Sequence, residues 1–549
     1  MVDLDVGDRA ARSRAAPISP ATVRDGVTSA RLSRPLLVVT AAAVVRLVFA
    51  ALIPLLPDEA YYWEWSRRLA PGYFDHPYGV ALLIRIGDSL LAPIGLSSTP
   101  FSVRLGPMLA GWIASVATVS IAERIGGAAA AMRAALIMSV MPLAAAGLVL
   151  ATPDALLLAA TAVAIYCLVR ALESPVRSGG SLRWWIATGA TLGLAFSSKY
   201  TSILLPVAVV VAVVVRDELR ARLREPGPYV ACVVAAVVFS PVLFWNASHG
   251  WISFVFQLRH GLSAPQGSAL VAAWKHEGDF FGGQAALASP ILFIMMAIAV
   301  GAGLRRGASA VRFALATIAL ISFSFFIYSA VRQRVEPNWP APAYIPAIVL
   351  IATVSWSERG LAWLRAGGAL AALMSVVIYA QALAPILPVK PSRDPIARAF
   401  GWGELATAAR SAAAAGQAGA RTWTGGDRYQ EAAELALHDP AHQTTFATNL
   451  AGRRNQYDLW PRFPDRARVG DNLILVLDDV PDLHATIRAL MPYFASVRAG
   501  ERVILKRGDG EIGARRVWLL SGWLGGWPEQ RDSLTFSIQR GKSASQRSR

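Results

Sequence analysis

Cysteine is nearly absent from this 549-residue chain, which has two. Cys167 and Cys232 both lie inside apolar runs, so neither a disulfide framework nor a thiolate metal site is expected, and both read as packing residues. Charge is scarce as well: 16% of the residues are Asp, Glu, Lys or Arg, against roughly 25% in soluble domains. Acids are the scarcer sign, 36 against 53 Lys and Arg, leaving a formal net charge of +17. The basic residues are mostly Arg, set in short clusters between apolar runs. With no continuous basic stripe and no nucleic-acid module, the excess charge does not point to nucleic acid. Nor is there an internal repeat, or a low-complexity tract beyond Ala/Val-rich stretches.

Apolar residues are abundant, at 54% of the chain. They fall in repeated runs of about 17–23 residues, the length that crosses a hydrocarbon core of roughly 30 Å. The expected fold class is an α-helical polytopic membrane protein of about eleven spans: 35–56, 103–123, 130–150, 154–172, 184–198, 200–215, 229–245, 288–304, 311–330, 341–355 and 362–385. Residues 1–34, with their scattered arginines, read as a disordered cytoplasmic N-terminus followed by an uncleaved first span. Arg clusters such as Arg216, Arg220, Arg222 and Arg224 recur in alternate connections, which puts those connections inside and the odd-numbered C-terminal end outside. After about 386 the composition changes to alternating helix-like and strand-like segments. Residues 386–525 read as a periplasmic α/β domain, with helices over Gly403–Ala415, Tyr429–His438 and Asp482–Met491 and strands at Leu473–Leu477 and Arg502–Lys506. Residues 526–549 read as a disordered tail.

The first outer loop, 57–102, carries the most chemistry. Asp58 and Glu59 follow the first span directly, and carboxylates at a membrane boundary cost desolvation energy unless solvated or paired. Tyr61, Tyr62, Trp63 and Trp65 come next, as an aromatic belt would. Asp75 and His76 add a second polar pair. The stretch Val80–Leu91, with Arg85 and Asp88 inside it, suits an interfacial helix better than a span. Such a loop can wall a cavity in which a lipid-borne substrate presents its head group.

The string DEAYYWEWSRRLAPGYFDHPYGV resembles the first-loop signature of the GT-C integral-membrane glycosyltransferases, near the bacterial protein O-mannosyltransferase and aminoarabinose–lipid A transferase relatives. RLGP from Arg104, TPDALLL from Thr152, GLAFSSKYT from Gly193, PVLFWNASHGWISFVFQLRHG from Pro241, FGGQ from Phe281, EPNWPAPAY from Glu336 and NQYDLW from Asn455 match in the same order, so the likeness covers about 35–510. It implies transfer of a monosaccharide from a polyprenyl-phosphate donor to an envelope acceptor (lipid A or another glycan, a lipid or a protein), with inversion at the anomeric carbon. By resemblance Asp58 is the essential acid/base, and Glu59 is a helper or the structural partner of an Arg.

The departing phosphate needs positive charge. His76 stands where the aminoarabinose transferases carry a Lys, a departure that weakens phosphate holding there. Tyr61, Asp75, His76, Lys199, Tyr200, Arg259 and Arg332 are the donor-side candidates, with His260 and Arg334 behind them. Lys199 could equally snorkel to the interface. His249, Glu336, Asn338 and Trp339 are candidates for acceptor contact or span capping. The sequence singles out no cofactor, although Asp75, His76, His249 and His276 could bind a divalent metal if they converged. Asp478–Asp479 reads as a turn after a strand, and GGDRYQEAAELALH lacks phosphate-loop spacing. The rival reading is a secondary transporter. It would show repeats and polar groups near the midplane, where Arg46 is the exception to a boundary-loaded pattern. A membrane scaffold displaying the C-terminal domain leaves the acidic-aromatic loop unexplained.

Overall fold

The computed structural model describes residues 28–262, 269–415, 419–450 and 452–529. The expectations for residues 1–27, for the tail beyond 529 and for the His260 side chain lie outside the described residues.

The longer helices of the membrane part are α1 (Thr28–Leu52), α2 (Pro57–Arg67), α3 (Gly79–Leu91), α4 (Pro100–Val140), α5 (Asp154–Glu173), α6 (Gly179–Phe196) and α7 (Leu204–Val215). After them come α8 (Gly227–Ser248), α9 (Ile252–Leu262), α10 (Ala269–Ala288), α11 (Pro290–Gly303), α12 (Ala310–Arg332), α13 (Ala341–Thr353) and α14 (Glu358–Leu383). Each expected span falls on a helix. Among the described residues, six helices are long and apolar enough to cross a membrane, and the pair α10–α11, bent by 98°, makes up to seven. The other expected spans are shorter helices or the arms of a bent one. The runs at 103–123 and 130–150 meet in α4, which bends at Gly127, where φ is +71°. The first helix also starts earlier than expected, taking in residues 28–34.

Local sequence explains the punctuation. Pro54 and Pro57 end α1 and open α2, and Pro57 occupies a first-turn position where its missing N–H costs nothing. Thr99 caps α4 by accepting from the Ser102 amide at 3.2 Å, while the Ser102 hydroxyl accepts from the Thr99 amide at 3.0 Å. At the far end of α4, Pro142 cannot donate to the Met138 carbonyl four residues back. Arg46 replaces that donor, its guanidinium reaching Met138 O at 2.7 Å and Ser139 O at 3.1 Å. The one charged residue expected inside the first span is therefore a backbone partner. Helix α3 lies tight across α4, because a Cβ at Gly87 would strike the Ser102 carbonyl and one at Gly106 the Leu83 carbonyl.

The C-terminal part is an α/β domain with a five-stranded sheet in the order β2-β1-β3-β5-β4. Its strands are β1 (Thr422–Gly426), β2 (Thr445–Ala447), β3 (Asn472–Asp478), β4 (Phe494–Arg507) and β5 (Gly510–Trp523). β1 runs parallel to β2 and β3, and β5 pairs antiparallel with β3 and β4. Helices α15 (Trp402–Ala414), α16 (Tyr429–His438) and α17 (Ala485–Leu490) cover it. β3 shows why the sheet has two cores. Ile474 and Val476 pack with Trp402, Leu405 and Leu435 on one face, while Leu473, Leu475 and Leu477 pack with Phe446, Phe463 and Ile487 on the other.

The domain docks on the first loop. Ala432, Ala433 and Ala436 of α16, all fully buried, let its backbone approach α2, and they share a core with Ala60, Tyr61, Trp63 and Trp65. The start of α2 is held from the other side. Glu59 and Arg104 are each 1% exposed and form a two-point ion pair, at 2.8 Å from Nε and 2.5 Å from Nη2. Arg104 also donates to the carbonyls of Ala50, Ile53 and Pro54 at the end of α1, and Glu59 accepts from the amides of Leu56 and Ala151. Removing one partner of such a pair strands a buried charge. Arg104→Ala is expected to cost about 3–5 kcal/mol, read as a lowered unfolding midpoint of the detergent-purified protein.

Candidate active site

A cavity of about 1590 Å³ opens where the membrane helices meet the C-terminal domain. One end is apolar, walled by Leu192 and Phe196 of α6, Leu204 of α7, Ala235 and Phe239 of α8, and Phe325 of α12. The other end is polar and is shared between the first loop and the C-terminal domain. A greasy trough leading into a charged chamber matches an amphiphile with a long chain and an ionic head.

Asp58 stands in the polar chamber. Helix α2 places Asp58 and Glu59 one residue apart, so their side chains leave the helix about 100° apart. Glu59 enters the Arg104 cage and is the structural partner of that Arg, with both carboxylate oxygens engaged. Asp58 opens onto the cavity, where its Oδ1 accepts from Tyr429 Oη at 3.3 Å and Gln430 Nε2 at 3.5 Å. Protein surrounds it on most sides even though the chamber itself is accessible. That desolvation raises the Asp58 pKa above the ordinary aspartate value; Arg398, Tyr429 and Arg453 pull it down, and the charge of Asp75 pushes it up.

A hydrogen-bonded chain holds the chamber wall. Asp75, 4% exposed, accepts from Tyr61 Oη at 2.7 Å and pairs with Arg453 at 2.6 Å. Arg453 donates onward to Tyr429 Oη at 3.2 Å, and Tyr61 Oη accepts from the Gln456 amide at 2.7 Å. Burial works against the Arg453 charge, but Asp75, Tyr429 and Tyr61 outweigh it and raise its pKa. Burial raises the Tyr429 hydroxyl pKa, with Asp58 adding to the effect, so this phenol remains a donor. His76 lines the chamber beside Gln257, whose amide donates to the Asp75 carbonyl at 2.5 Å.

Across the chamber, Lys199 pairs with Asp154 at 2.8 Å, both nearly buried, and Asn338 donates to the other Asp154 oxygen at 2.7 Å. Tyr200 shares hydrogen bonds with Ser253 at 2.9 Å and Asn246 at 3.2 Å and stacks on Phe254. Glu336 and Trp339 line the same wall. The structure thus gathers Asp58, Tyr61, Asp75, His76, Lys199, Tyr200, Glu336, Asn338 and Trp339 around one space.

Three expected contributors stand outside this lining. Arg259 is exposed on α9, two residues and so about 200° round the helix from cavity-facing Gln257. Arg332 lies over the Tyr328 ring and donates to its hydroxyl at 2.9 Å. His249 stacks on Trp245 at 4.1 Å, its Nδ1 engaged with the Trp245 carbonyl and Ser248. The convergence imagined for a metal is not seen either: among the described residues no three His, Cys, Asp or Glu side chains gather as ligands. Sequence reasoning missed Asp154, Tyr429, Arg453 and Arg398. Asp154 had a signal, an acid in the first turn of an apolar helix, and Arg453 stands just before the matched NQYDLW string.

Comparisons with known proteins agree with the resemblance to integral-membrane glycosyltransferases read from the sequence. Residues 75–245 match the family model described as dolichyl-phosphate-mannose-protein mannosyltransferase. A curated relative, the lipid A galacturonosyltransferase RgtD of Rhizobium johnstonii, is 26% identical over 293 residues, 53% of this chain and 59% of that protein. The match therefore spans less than two thirds of that relative. ArnT from Cupriavidus metallidurans bound to undecaprenyl phosphate shares the fold with a TM-score of 0.59 at 18% identity, covering 90% of this chain and 99% of that one. Its apo form gives 0.59 at 19%, covering 91% and 100%.

The Asp75–Arg453 pair ties the first loop to the C-terminal domain, which makes their coupling measurable. Asp75→Asn and Arg453→Gln are each expected to speed proteolytic release of the C-terminal domain, and the double variant to be released no faster than either alone. Additive effects would show that the pair does not hold the interface.

Proposed function

We propose that this protein transfers a monosaccharide from a polyprenyl-phosphate donor to a cell-envelope acceptor at the outer face of a bacterial inner membrane. The observation that carries the reading is the position of Asp58, in the chamber that continues the apolar trough. The polyprenyl chain lies along α6, α7, α8 and α12, which puts its phosphate and sugar among Asp58, His76 and Lys199. Lipid A is the favoured acceptor class, supported by the name of the curated relative. A lipid-phosphate donor is supported by the undecaprenyl phosphate bound to the ArnT of like fold.

The chemistry follows from the residues present. Asp58 accepts the proton of the acceptor hydroxyl as its oxygen attacks the anomeric carbon, and its charge stabilises the oxocarbenium-like transition state. The bond from that carbon to the phosphate oxygen breaks with its electron pair passing to the phosphate. The lipid phosphate then departs without a general acid, and attack from the opposite face inverts the configuration. Asp75, Tyr61, Arg453 and Tyr429 position this acid rather than react. The Lys199–Asp154–Asn338 cluster forms the facing wall and supplies a cation near the donor.

The C-terminal domain and Asp58 lie on one side of the membrane, because α16 packs directly on α2. Alkaline phosphatase fused to the C-terminus is expected to be active, and an inactive fusion would put the whole chamber in the cytoplasm. Asp58→Asn should lose transfer by about 10²–10⁴-fold without loss of folding, measured with undecaprenyl-phosphate sugar and lipid A in membranes. Asp58 must be ionised to take a proton, and its pKa is raised. Activity should therefore fall with decreasing pH earlier than an ordinary aspartate would require, and Tyr429→Phe should move that limb to still higher pH.

A further inference from the structure

When the charges lining the cavity are matched into close ion pairs, Asp58 and one cation remain outside any pair. Lys199 faces Asp154, Arg453 faces Asp75 and Arg334 faces Glu336. Arg428 and Arg515 share Glu431 and Asp478. Arg398 also lines the cavity, yet among the described residues it forms no close ion pair. Its side-chain hydrogen bond is to its own turn, from Nε to the Pro395 carbonyl at 3.4 Å. It is near enough to Asp58 to lower that acid's pKa.

The turn that carries Arg398 is held in place. It is a five-residue 3-10 turn, Pro395–Ala399, between α14 and α15. Asp394 caps it by accepting from the Ile396 amide at 3.0 Å, and Asp394 is itself buried against Gln381 of α14, at 2.6 Å, and Arg507 of β4. Arg507 also donates to the Gln381 and Ala382 carbonyls and so closes the end of α14. On either side of Arg398, Ala397 and Ala399 are 1% and 3% exposed, and the Arg398 carbonyl accepts from the Trp402 indole at 2.8 Å. A buried charge pair, a helix end and a strand thus fix the backbone from which this guanidinium projects.

We propose that Arg398 binds a phosphate oxyanion of the lipid substrates, and that the linker supplies this charge to the chamber. The inference rests on the donor-and-acceptor reading above and adds a residue from a different part of the chain. A guanidinium presents a planar fork of N–H groups that matches phosphate oxygens, and one held in no close ion pair need break none to engage them. Two sources offer that oxyanion, the polyprenyl phosphate of the donor and a phosphate on the acceptor head group.

Binding to the purified full-length protein in detergent separates them. The ligands are undecaprenyl phosphate against undecaprenol, and lipid A against dephosphorylated lipid A. The proteins are wild type, Arg398→Ala, Arg398→Lys and, as a control of equal charge loss on the exposed neighbouring turn, Arg393→Ala. Arg398→Ala should weaken one phosphorylated ligand by about ten- to a hundredfold and leave its phosphate-free counterpart unchanged. Lys should restore part of the loss, and Arg393→Ala should match wild type. A loss with undecaprenyl phosphate assigns the donor, and a loss with lipid A the acceptor. The acid limb of transfer in Arg398→Ala should also move to higher pH, because a cation that lowers the Asp58 pKa has gone. Equal binding of both phosphorylated ligands by Arg398→Ala and wild type would overturn the role of Arg398 alone. Failure of the wild type to prefer either phosphorylated ligand over its counterpart would overturn the lipid-phosphate reading itself.

Discussion

The buried pairing of Glu59 with Arg104 is the constraint on which the rest of this site depends. Two adjacent acids follow the first membrane helix, and without a partner both would seek water. Arg104 draws Glu59 inward and at the same time closes the carbonyl end of α1, so a charge that would be costly becomes the hinge pin of three segments. The helix that begins there is held at its first turn by all of these contacts. Asp58 must then project about 100° away from Glu59, into the chamber and toward the C-terminal domain. Of two neighbouring carboxylates, one is used to build and the other is left facing the chamber.

The second half of the site comes from a domain that begins some three hundred residues later. Tyr429, Gln430 and Arg453 are the direct partners of the first-loop acids, and the alanine-lined face of α16 brings them close enough. Small residues do here what they do between membrane helices, letting backbones approach so that polar side chains at the edge can meet. The chamber therefore exists only where loop and domain are apposed, while the trough is the work of the membrane helices alone.

Much of this was legible in the sequence. Runs of spanning length located the helices, and Tyr429–His438 was placed to the residue. Asp58 stood out because charge at a membrane boundary demands a reason. What stayed hidden had physical causes. β5 was missed because Gly510, Gly513 and the pair Arg515–Arg516 interrupt the alternation that marks a strand. Two expected spans merged in α4 because a single glycine, Gly127, turns the chain without breaking its hydrogen bonding for long. Arg259 was expected in the site and Arg398 was not, because a helix face and a distant turn cannot be told from composition. Pairings such as Asp75 with Arg453 join positions 378 residues apart, and no local pattern records them.

The staple formed by Asp394, Gln381 and Arg507 has a consequence for how such proteins diverge. It welds the connecting segment to both the last membrane helix and the edge strand of the sheet, so the segment belongs to neither half alone. A C-terminal domain could not be exchanged with that of a relative by a cut at the apparent junction, since the graft would part Arg507 from its acid and shift the turn beneath Arg398. Descent with a new specificity is thereby channelled into changes within the chamber walls, with the seam inherited as a unit.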